Sequence, residues 1–106
     1  MASTVDASGN PVPTSAVLMA ASKHIGVKCH SENLDFLRCK KNDPNPEKCL
    51  DKGREVTRCV LHLLKDLHKK CTKEMDEYVR CMYYYTNEFE MCRKEQEAFV
   101  KACPLE

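Results

Sequence analysis

The chain has 106 residues, of which 42% are hydrophobic and 31% charged, and its formal net charge is +1 at pH 7. This length allows one small domain, or two smaller ones, with a limited capacity to bury a core. The balance of charges produces no overall field that would attract nucleic acid or an anionic membrane. No apolar stretch approaches the roughly 18 residues of a membrane span.

Residues 1–28 are predicted to form an extended N-terminal arm. Gly9 and the prolines of the segment Asn10–Pro13 do not continue a helix, and a short helical turn is expected only around Ser15–Ser22. The segment is either a disordered terminus or an arm that becomes ordered on a partner's surface. Because no basic residue precedes Lys23, neither a secretory signal nor a matrix-type transit peptide is predicted.

Two helices joined by a sharp turn are predicted next. The first is expected to begin with Ser31 as its N-cap, and the segment Asn42–Pro46 is a strong turn signal. Asn45 and Pro46 are typical N-cap and N1 residues of a second helix, which is expected to end near Lys70. Its apolar stripe, at three- and four-residue spacing, consists of Cys49, Val56, Cys59, Val60, Leu63 and Leu67.

Two further helices are predicted in the last third of the chain. Whether the third continues the second, or follows a break near residues 69–72, is open because neither proline nor glycine separates them. Asn87 and Glu90 have the spacing of a capping box and predict the start of the fourth helix, which Pro104 ends. The apolar stripes are Cys71, Met75, Tyr78, Met82 and Tyr85 on the third helix, and Phe89, Cys92, Phe99 and Cys103 on the fourth.

Eight cysteines recur at nearly even intervals through these four helices. Nine residues separate neighbours in the first four, and gaps of nine, ten and ten follow in the second four. Residues ten apart on a helix are separated by roughly 15 Å along its axis, whereas a disulfide needs Cα atoms within about 7 Å. Disulfides must therefore join different helices, and if the chain turns back in each half, the pairing is nested. The predicted bonds are Cys29–Cys59, Cys39–Cys49, Cys71–Cys103 and Cys81–Cys92.

The predicted fold is therefore all-α, with two tandem antiparallel helical hairpins that follow the arm. The first hairpin comprises residues 29–70 and the second residues 71–106, and two disulfides staple each. An internal repeat supports this division, because Cys29–Cys39 and Cys71–Cys81 both have Glu three positions after the first cysteine and end in aromatic–aliphatic–Arg–Cys.

Other uses of the cysteines fit the spacing less well. Structural zinc favours close C-x2-C pairs, which the chain lacks, as it lacks C-x-x-C redox and C-x-x-C-H haem motifs. No metal ligand and no cofactor are predicted. The histidines have no paired nucleophile or carboxylate, so they are expected at the surface and no catalytic residue is predicted. They are His24, His30, His62 and His68.

The cysteine pattern and the N-terminus conflict over the compartment. Disulfides normally require an oxidising compartment reached through a signal peptide, and no such signal is predicted here. The mitochondrial intermembrane space resolves this conflict, because small proteins there are trapped by oxidation after import. The chain is therefore expected in that space.

The pattern resembles the coiled-coil-helix–coiled-coil-helix (CHCH), or twin C-x9-C, proteins of the intermembrane space, here with four motifs. More closely, the chain resembles the plant form of the 19-kDa CHCH accessory subunits of respiratory complex I. The stretches that carry this resemblance are MASTVDASGNPVPTSAVL, KKNDPNPEKCL and MYYYTNEFEMCRKEQEAF. The last two cysteine gaps, of ten residues, depart from the family's spacing.

The resemblance implies a non-catalytic accessory subunit of NADH:ubiquinone oxidoreductase. It would lie on the intermembrane-space face of the membrane arm, peripheral to the inner membrane, with other membrane-arm subunits as partners. The alternative is an intermembrane-space assembly or copper-delivery factor for cytochrome oxidase, which would need free thiols.

The resemblance also implies oxidation on import by a thiol oxidoreductase that docks on apolar residues near a cysteine. The candidate pairs are Phe36 with Cys39, Cys59 with Leu63, Tyr78 with Cys81, and Phe99 with Cys103. Each aromatic residue is equally explained as hairpin core.

Two further stretches favour interactions at the surface. Lysines of the segment Lys65–Lys73 form either a solvated face or a contact with lipid headgroups or an acidic neighbour. Met82–Tyr85 cannot point inward at every position of a helix, so this run is expected to be core on one side and a docking surface on the other.

Overall fold

A computed structural model of the chain describes residues 13–43 and 45–105, and all the regular structure in these two ranges is helical. Short 3₁₀ turns, Pro46–Cys49 and Phe89–Cys92, lead into two of the helices. The predicted all-α class is confirmed. The six α-helices are α1 (Ser15–Ala20), α2 (Ser22–Lys28), α3 (His30–Asn42), α4 (Leu50–Lys70), α5 (Thr72–Tyr84) and α6 (Arg93–Ala102).

Four disulfides staple the helices into two hairpins. In each hairpin an outer bond spans 30 or 32 residues and an inner bond spans 10 or 11, so the paired helices run antiparallel. The Cα–Cα distances are 6.0 Å for Cys29–Cys59, 5.9 Å for Cys39–Cys49, 6.2 Å for Cys71–Cys103 and 6.0 Å for Cys81–Cys92. These values lie within the range that disulfide geometry allows.

One of two predicted caps in the first hairpin is confirmed. The Asn45 side chain accepts a hydrogen bond of 3.1 Å from the backbone N–H of Glu47, at the start of the turn into α4. The prediction of Ser31 as an N-cap is wrong, because Cys29 occupies that position without a side-chain cap. The backbone N–H of Cys29 already donates to the carbonyl of Ile25, so α2 leads almost directly into α3 and the serine lies within its first turn.

The predicted capping box at Asn87 and Glu90 is also wrong. Asn87 has a φ of 66°, in the left-handed region, and its backbone N–H donates to the carbonyl of Met82 at 2.7 Å. It therefore closes the end of α5, a role that asparagine tolerates better than most residues. Glu88 stands at the N-cap of the following turn and makes no side-chain cap.

Helix α4 connects the two hairpins. It has 21 residues, about 31 Å of helix, whereas its partner α3 has 13. Its later turns bring Leu64 and Leu67, 1% and 5% exposed, against the second hairpin. The chain leaves helical geometry at Cys71, with φ −130° and ψ 45°, so α4 and α5 are separate helices. No helix within residues 13–43 and 45–105 combines the length and hydropathy needed to cross a membrane.

The hydrophobic core lies between α1, the end of α4, α5 and α6. In contrast, α3 buries none of its residues. The first hairpin therefore depends more on its disulfides than the second. The buried core residues are Ala16, Val17, Ala20, Ala21, Leu64, Leu67, Cys71, Met75, Tyr78, Val79, Met82, Cys92, Phe99 and Cys103.

The helical turn expected around Ser15–Ser22 is confirmed as α1, whereas α2 is a second helix in a part of the arm that was predicted to be extended. Residues 15–20 and 22–28 form two short helices, and the Thr14 side chain caps the first by accepting from the backbone N–H of Val17. Small apolar side chains spaced three and four residues apart allow α1 to pack closely on α5, which favours helix over extended chain. The first 12 residues of the predicted arm lie outside the described residues.

Candidate functional site

The eight cysteine sulfurs are all in disulfides, so none is a free thiolate. Among the described residues, the one group with ligand atoms close enough for a metal ion comprises Cys81, Cys92 and Glu95, within 4.8 Å of one another. Its two sulfurs are bonded to each other, whereas metal ligation by cysteine requires the thiolate. In this state the cysteines join helices and supply no thiolate ligand.

The candidate docking pairs for an import oxidoreductase fall into two classes in the folded structure. Phe36, on α3, and Leu63, on α4, are half-buried. Tyr78 and Phe99 are 1% and 0% exposed, with ring centroids 5.9 Å apart in the core. Cys39, Cys59 and Cys81 are half-buried and Cys103 is buried. The docking assignment stays a prediction, and for the two core aromatics it would require access before folding is complete.

The phenol of Tyr78 lies in this core. Burial raises its pKa above the usual value of 10.0, and the neighbouring Arg93 guanidinium partly opposes the increase. Because burial disfavours the phenolate, the folded chain keeps this group neutral. Tyr78 is therefore a packing element of the core.

His24 is buried, and its predicted place at the surface is wrong. Its side chain is 1% exposed, and Nε2 lies 2.6 Å from the carbonyl oxygen of Cys103, to which it donates as the protonated nitrogen. Its ring also packs on Phe99, with centroids 4.8 Å apart. This contact ties the arm to the end of the second hairpin. The signal in the sequence was the four-residue spacing of Ala16, Ala20 and His24, which places all three on one helical face.

The other histidines are more exposed. His30 and His62 lie at the surface as predicted, and His68 Nε2 is 3.2 Å from a carboxylate oxygen of Asp76, across the junction of α4 and α5. Sequence reasoning also missed Gln96, which is 6% exposed and accepts a 2.7 Å hydrogen bond from the Arg93 guanidinium.

A patch of exposed aromatic side chains marks the turn of the second hairpin. Met82 is fully buried, whereas Tyr83, Tyr84 and Tyr85 are 52%, 77% and 38% exposed. The rings of Tyr84 and Tyr85 meet edge to face, with centroids 4.8 Å apart. The predicted division of this run into a core side and an outer side is confirmed. Such exposed aromatic groups are typical of surfaces that bind other proteins.

The lysines around the junction of α4 and α5 are exposed. Lys65, Lys69, Lys70 and Lys73 all lie at the surface, and Lys70 Nζ is 3.0 Å from a carboxylate oxygen of Asp66. Exposed pairs of this kind contribute little to stability. The segment is thus available to an outside partner.

Comparison with known proteins finds relatives along the whole chain. NADH dehydrogenase (ubiquinone) 1 alpha subcomplex subunit 8-B of Arabidopsis thaliana is 77% identical over 105 residues, which cover 99% of each chain. Subunit 8-A of the same organism is 76% identical over 101 residues, 95% of this chain and 94% of that protein. The NADH-ubiquinone oxidoreductase 20.8 kDa subunit of Neurospora crassa is 35% identical over 82 residues, 76% of this chain and 45% of that protein. No protein-family model matches the chain.

Proposed function

The chain belongs to the family of NADH dehydrogenase (ubiquinone) 1 alpha subcomplex subunit 8, and we propose that it is an accessory subunit of mitochondrial NADH:ubiquinone oxidoreductase, complex I. The observation that carries the proposal is the 77% identity over 99% of both chains. At this identity the two chains share one fold, and the surfaces through which they assemble are expected to correspond.

The subunit acts through its structure and takes no part in catalysis. Two disulfides fix each hairpin, the arm is tied to the second hairpin through His24, and the tyrosine patch and the lysines remain exposed. A rigid element of this kind loses little conformational freedom on binding, which favours tight association with neighbouring subunits. The proposal includes the division of the chain into three structural units: the arm (1–28), the first hairpin (29–70) and the second hairpin (71–106).

The intermembrane-space side of the inner membrane is the position that we assign to the subunit. Four disulfides call for an oxidising compartment, and the relatives are named as parts of a mitochondrial respiratory enzyme. Peripheral attachment to membrane-arm subunits, with lipid headgroups near the exposed lysines, follows from the same assignment.

Import would depend on an oxidoreductase that introduces the disulfides. Phe36 with Cys39, and Leu63 with Cys59, are the docking pairs that remain half-buried after folding, and Phe36 is the aromatic residue among them. Substitution Phe36→Ala should reduce the mixed disulfide trapped with the oxidoreductase during import. Leu37→Ala, at an exposed neighbour, is the matched control and should leave it unchanged. Equal trapping in both variants would exclude this docking pair.

The alternative, an assembly or copper-delivery factor for cytochrome oxidase, is not favoured. Such a factor needs thiolates in its mature form to hold copper(I), whereas all eight sulfurs here are in disulfides. The names of the relatives also refer to NADH dehydrogenase and not to cytochrome oxidase.

Migration of the chain on a native gel tests the proposal. Mitochondrial membranes are solubilised in mild detergent, the complexes are separated, and the band that oxidises NADH is stained. We expect the chain to be detected in that band, with no alkylatable thiol before reduction and eight after it. Detection only as a free protein of 12.2 kDa would contradict the proposal.

A further inference from the structure

An open groove of about 1570 Å³ lies between α2, α4 and the C-terminal end of α6. Its lining includes the buried or half-buried side chains of Leu63, Leu67 and Cys103. Leu61, at one edge, is 43% exposed. The groove thus offers apolar side chains that solvent can reach, beside the junction of the two hairpins.

Cations without partners line this groove. Lys28, Arg58 and Lys65 are exposed, and no carboxylate of residues 13–43 or 45–105 forms an ion pair with any of them. Glu32 is the one lining carboxylate of that part of the chain that likewise has no ion pair. The unpaired groups of the lining therefore carry a surplus of positive charge.

The remaining acidic side chains of the lining are already paired. Glu55 lies 4.0 Å from Lys52, and Asp66 lies 3.0 Å from Lys70. These pairs neutralise each other and leave the surplus unchanged. The apolar side chains of the lining, Leu61, Leu63 and Leu67, favour a polypeptide that presents both apolar and acidic side chains over a phosphate headgroup, which could use only the cations.

The spacing of the cations specifies the shape of the partner. Arg58, Leu61 and Lys65 follow one another along α4 at three- and four-residue intervals, so they share one face of the helix. The two cations are separated by roughly 10 Å along the axis. Two carboxylates seven residues apart on a second helix have the same separation, with room for an apolar residue between them.

We propose that this groove binds an amphipathic helix of a neighbouring subunit, with apolar residues toward the groove and acidic residues seven positions apart facing Arg58 and Lys65. Helix-in-groove recognition of this kind combines an apolar face with flanking charges. The inference rests on the proposed function, which supplies the neighbouring subunits. Residues 1–12 are a weaker occupant, although Pro13 lines the groove, because Asp6 is their one acidic residue.

A photo-crosslinking amino acid in place of Leu61 identifies the occupant. The variant is expressed in mitochondria that lack the native copy, and the assembled complex is isolated on a native gel before mass spectrometry of the crosslinked peptide. We expect one subunit, linked through a peptide with apolar residues at three- and four-residue spacing and carboxylates seven apart. The same probe at Leu37, which is 61% exposed and outside the groove lining, should not yield that peptide.

A crosslink to residues 1–12, to a phospholipid, or to no molecule in assembled complex would overturn the inference. Charge reversal gives an independent test. Arg58→Glu with Lys65→Glu should lower retention of the chain in the complex at raised salt by about tenfold, a loss of roughly 1.4 kcal/mol. Lys94→Glu with Lys101→Glu is the matched control, because it reverses two exposed cations seven residues apart on α6, outside the groove lining.

The outcomes separate this inference from the proposed function. If the unaltered chain is absent from the NADH-oxidising band, the proposed function fails. If the unaltered chain is present and both charge-reversed variants are retained equally, only the groove assignment fails. Both variants should unfold at the same temperature as the unaltered chain when thermal unfolding is followed by circular dichroism. That result would attribute any loss of retention to the altered surface charges and not to a loss of folding.

Discussion

Replacement of Cys29 and Cys59 by alanine should unfold α3 and leave α5 folded. This disulfide closes 30 residues, so in the chain-entropy model it contributes about 3.6 kcal/mol. Helix α3 buries none of its residues, and Phe36 is only half-buried against α4. Partial burial of one such side chain contributes on the order of 1 kcal/mol. The stabilisation lost with the disulfide is therefore larger than the stabilisation that side-chain packing gives to α3.

Replacement of Cys71 and Cys103 by alanine is the matched comparison. That disulfide closes 32 residues and contributes about 3.7 kcal/mol, nearly the same amount. Helix α5, however, buries Met75, Tyr78, Val79 and Met82. At about 1.5–3 kcal/mol each, their burial contributes on the order of 6–12 kcal/mol. The two variants thus lose similar entropic stabilisation from hairpins that differ in their cores.

Hydrogen–deuterium exchange with mass spectrometry distinguishes the two outcomes. In the first variant the amides of α3 should exchange at the rate of an unfolded chain while α5 stays protected. In the second variant α5 should stay protected, with a lower free energy of unfolding. Retained protection of α3 in the first variant, or loss of the same helices in both, would refute the reasoning.

Three further changes probe the packing of the arm and the hairpins. Gly53→Ala should raise the free energy of unfolding by about 1 kcal/mol in urea titration, because alanine has the higher helix propensity, and the new Cβ would also contact the Phe36 ring at 3.4 Å. Gly26→Ala, with nothing within 4 Å, is the control that gains from helix propensity alone. A loss of stability at position 53 would show that the ring cannot adjust. His24→Phe should lower the free energy of unfolding by about 1–3 kcal/mol, since it leaves the buried carbonyl of Cys103 without its hydrogen-bond donor. An unchanged urea midpoint would contradict a stabilising role for this hydrogen bond. Because burial raises the folded-state pKa of Tyr78, its contribution to stability should be complete below pH 10.0 and be lost as pH rises through that higher pKa; denaturation midpoints that stay constant from pH 9 to pH 12 would contradict this.

The hairpins could be predicted from the sequence because their constraints are local or covalent. Regular cysteine spacing excludes pairing within one helix and leaves few nested alternatives. Asn45 and Pro46 place the first reversal, and the side-chain cap that they predict is present. Such features need no knowledge of distant packing, which is why they transfer directly from sequence to structure.

The burial of the arm was not predictable in the same way. His24 and Cys103 are separated by 79 residues, so their contact depends on how the arm returns across both hairpins. The helical stripe of small residues in α1 was visible, but its length of six residues gives a weak signal beside the prolines that precede it. Asparagine suits both an N-cap and a left-handed closing residue, so the sequence alone does not show which helix end Asn87 occupies.

The amount and the activity of assembled complex I, measured together, test the central claim that this chain is a structural subunit. Mitochondria that lack the chain are complemented with the unaltered form, with Cys39→Ser or with Cys59→Ser, and both the assembled enzyme and its NADH oxidation per assembled complex are quantified. We predict that each cysteine variant lowers the amount of assembled complex while the activity per complex stays unchanged. A normal amount of complex with reduced activity per complex would contradict the account.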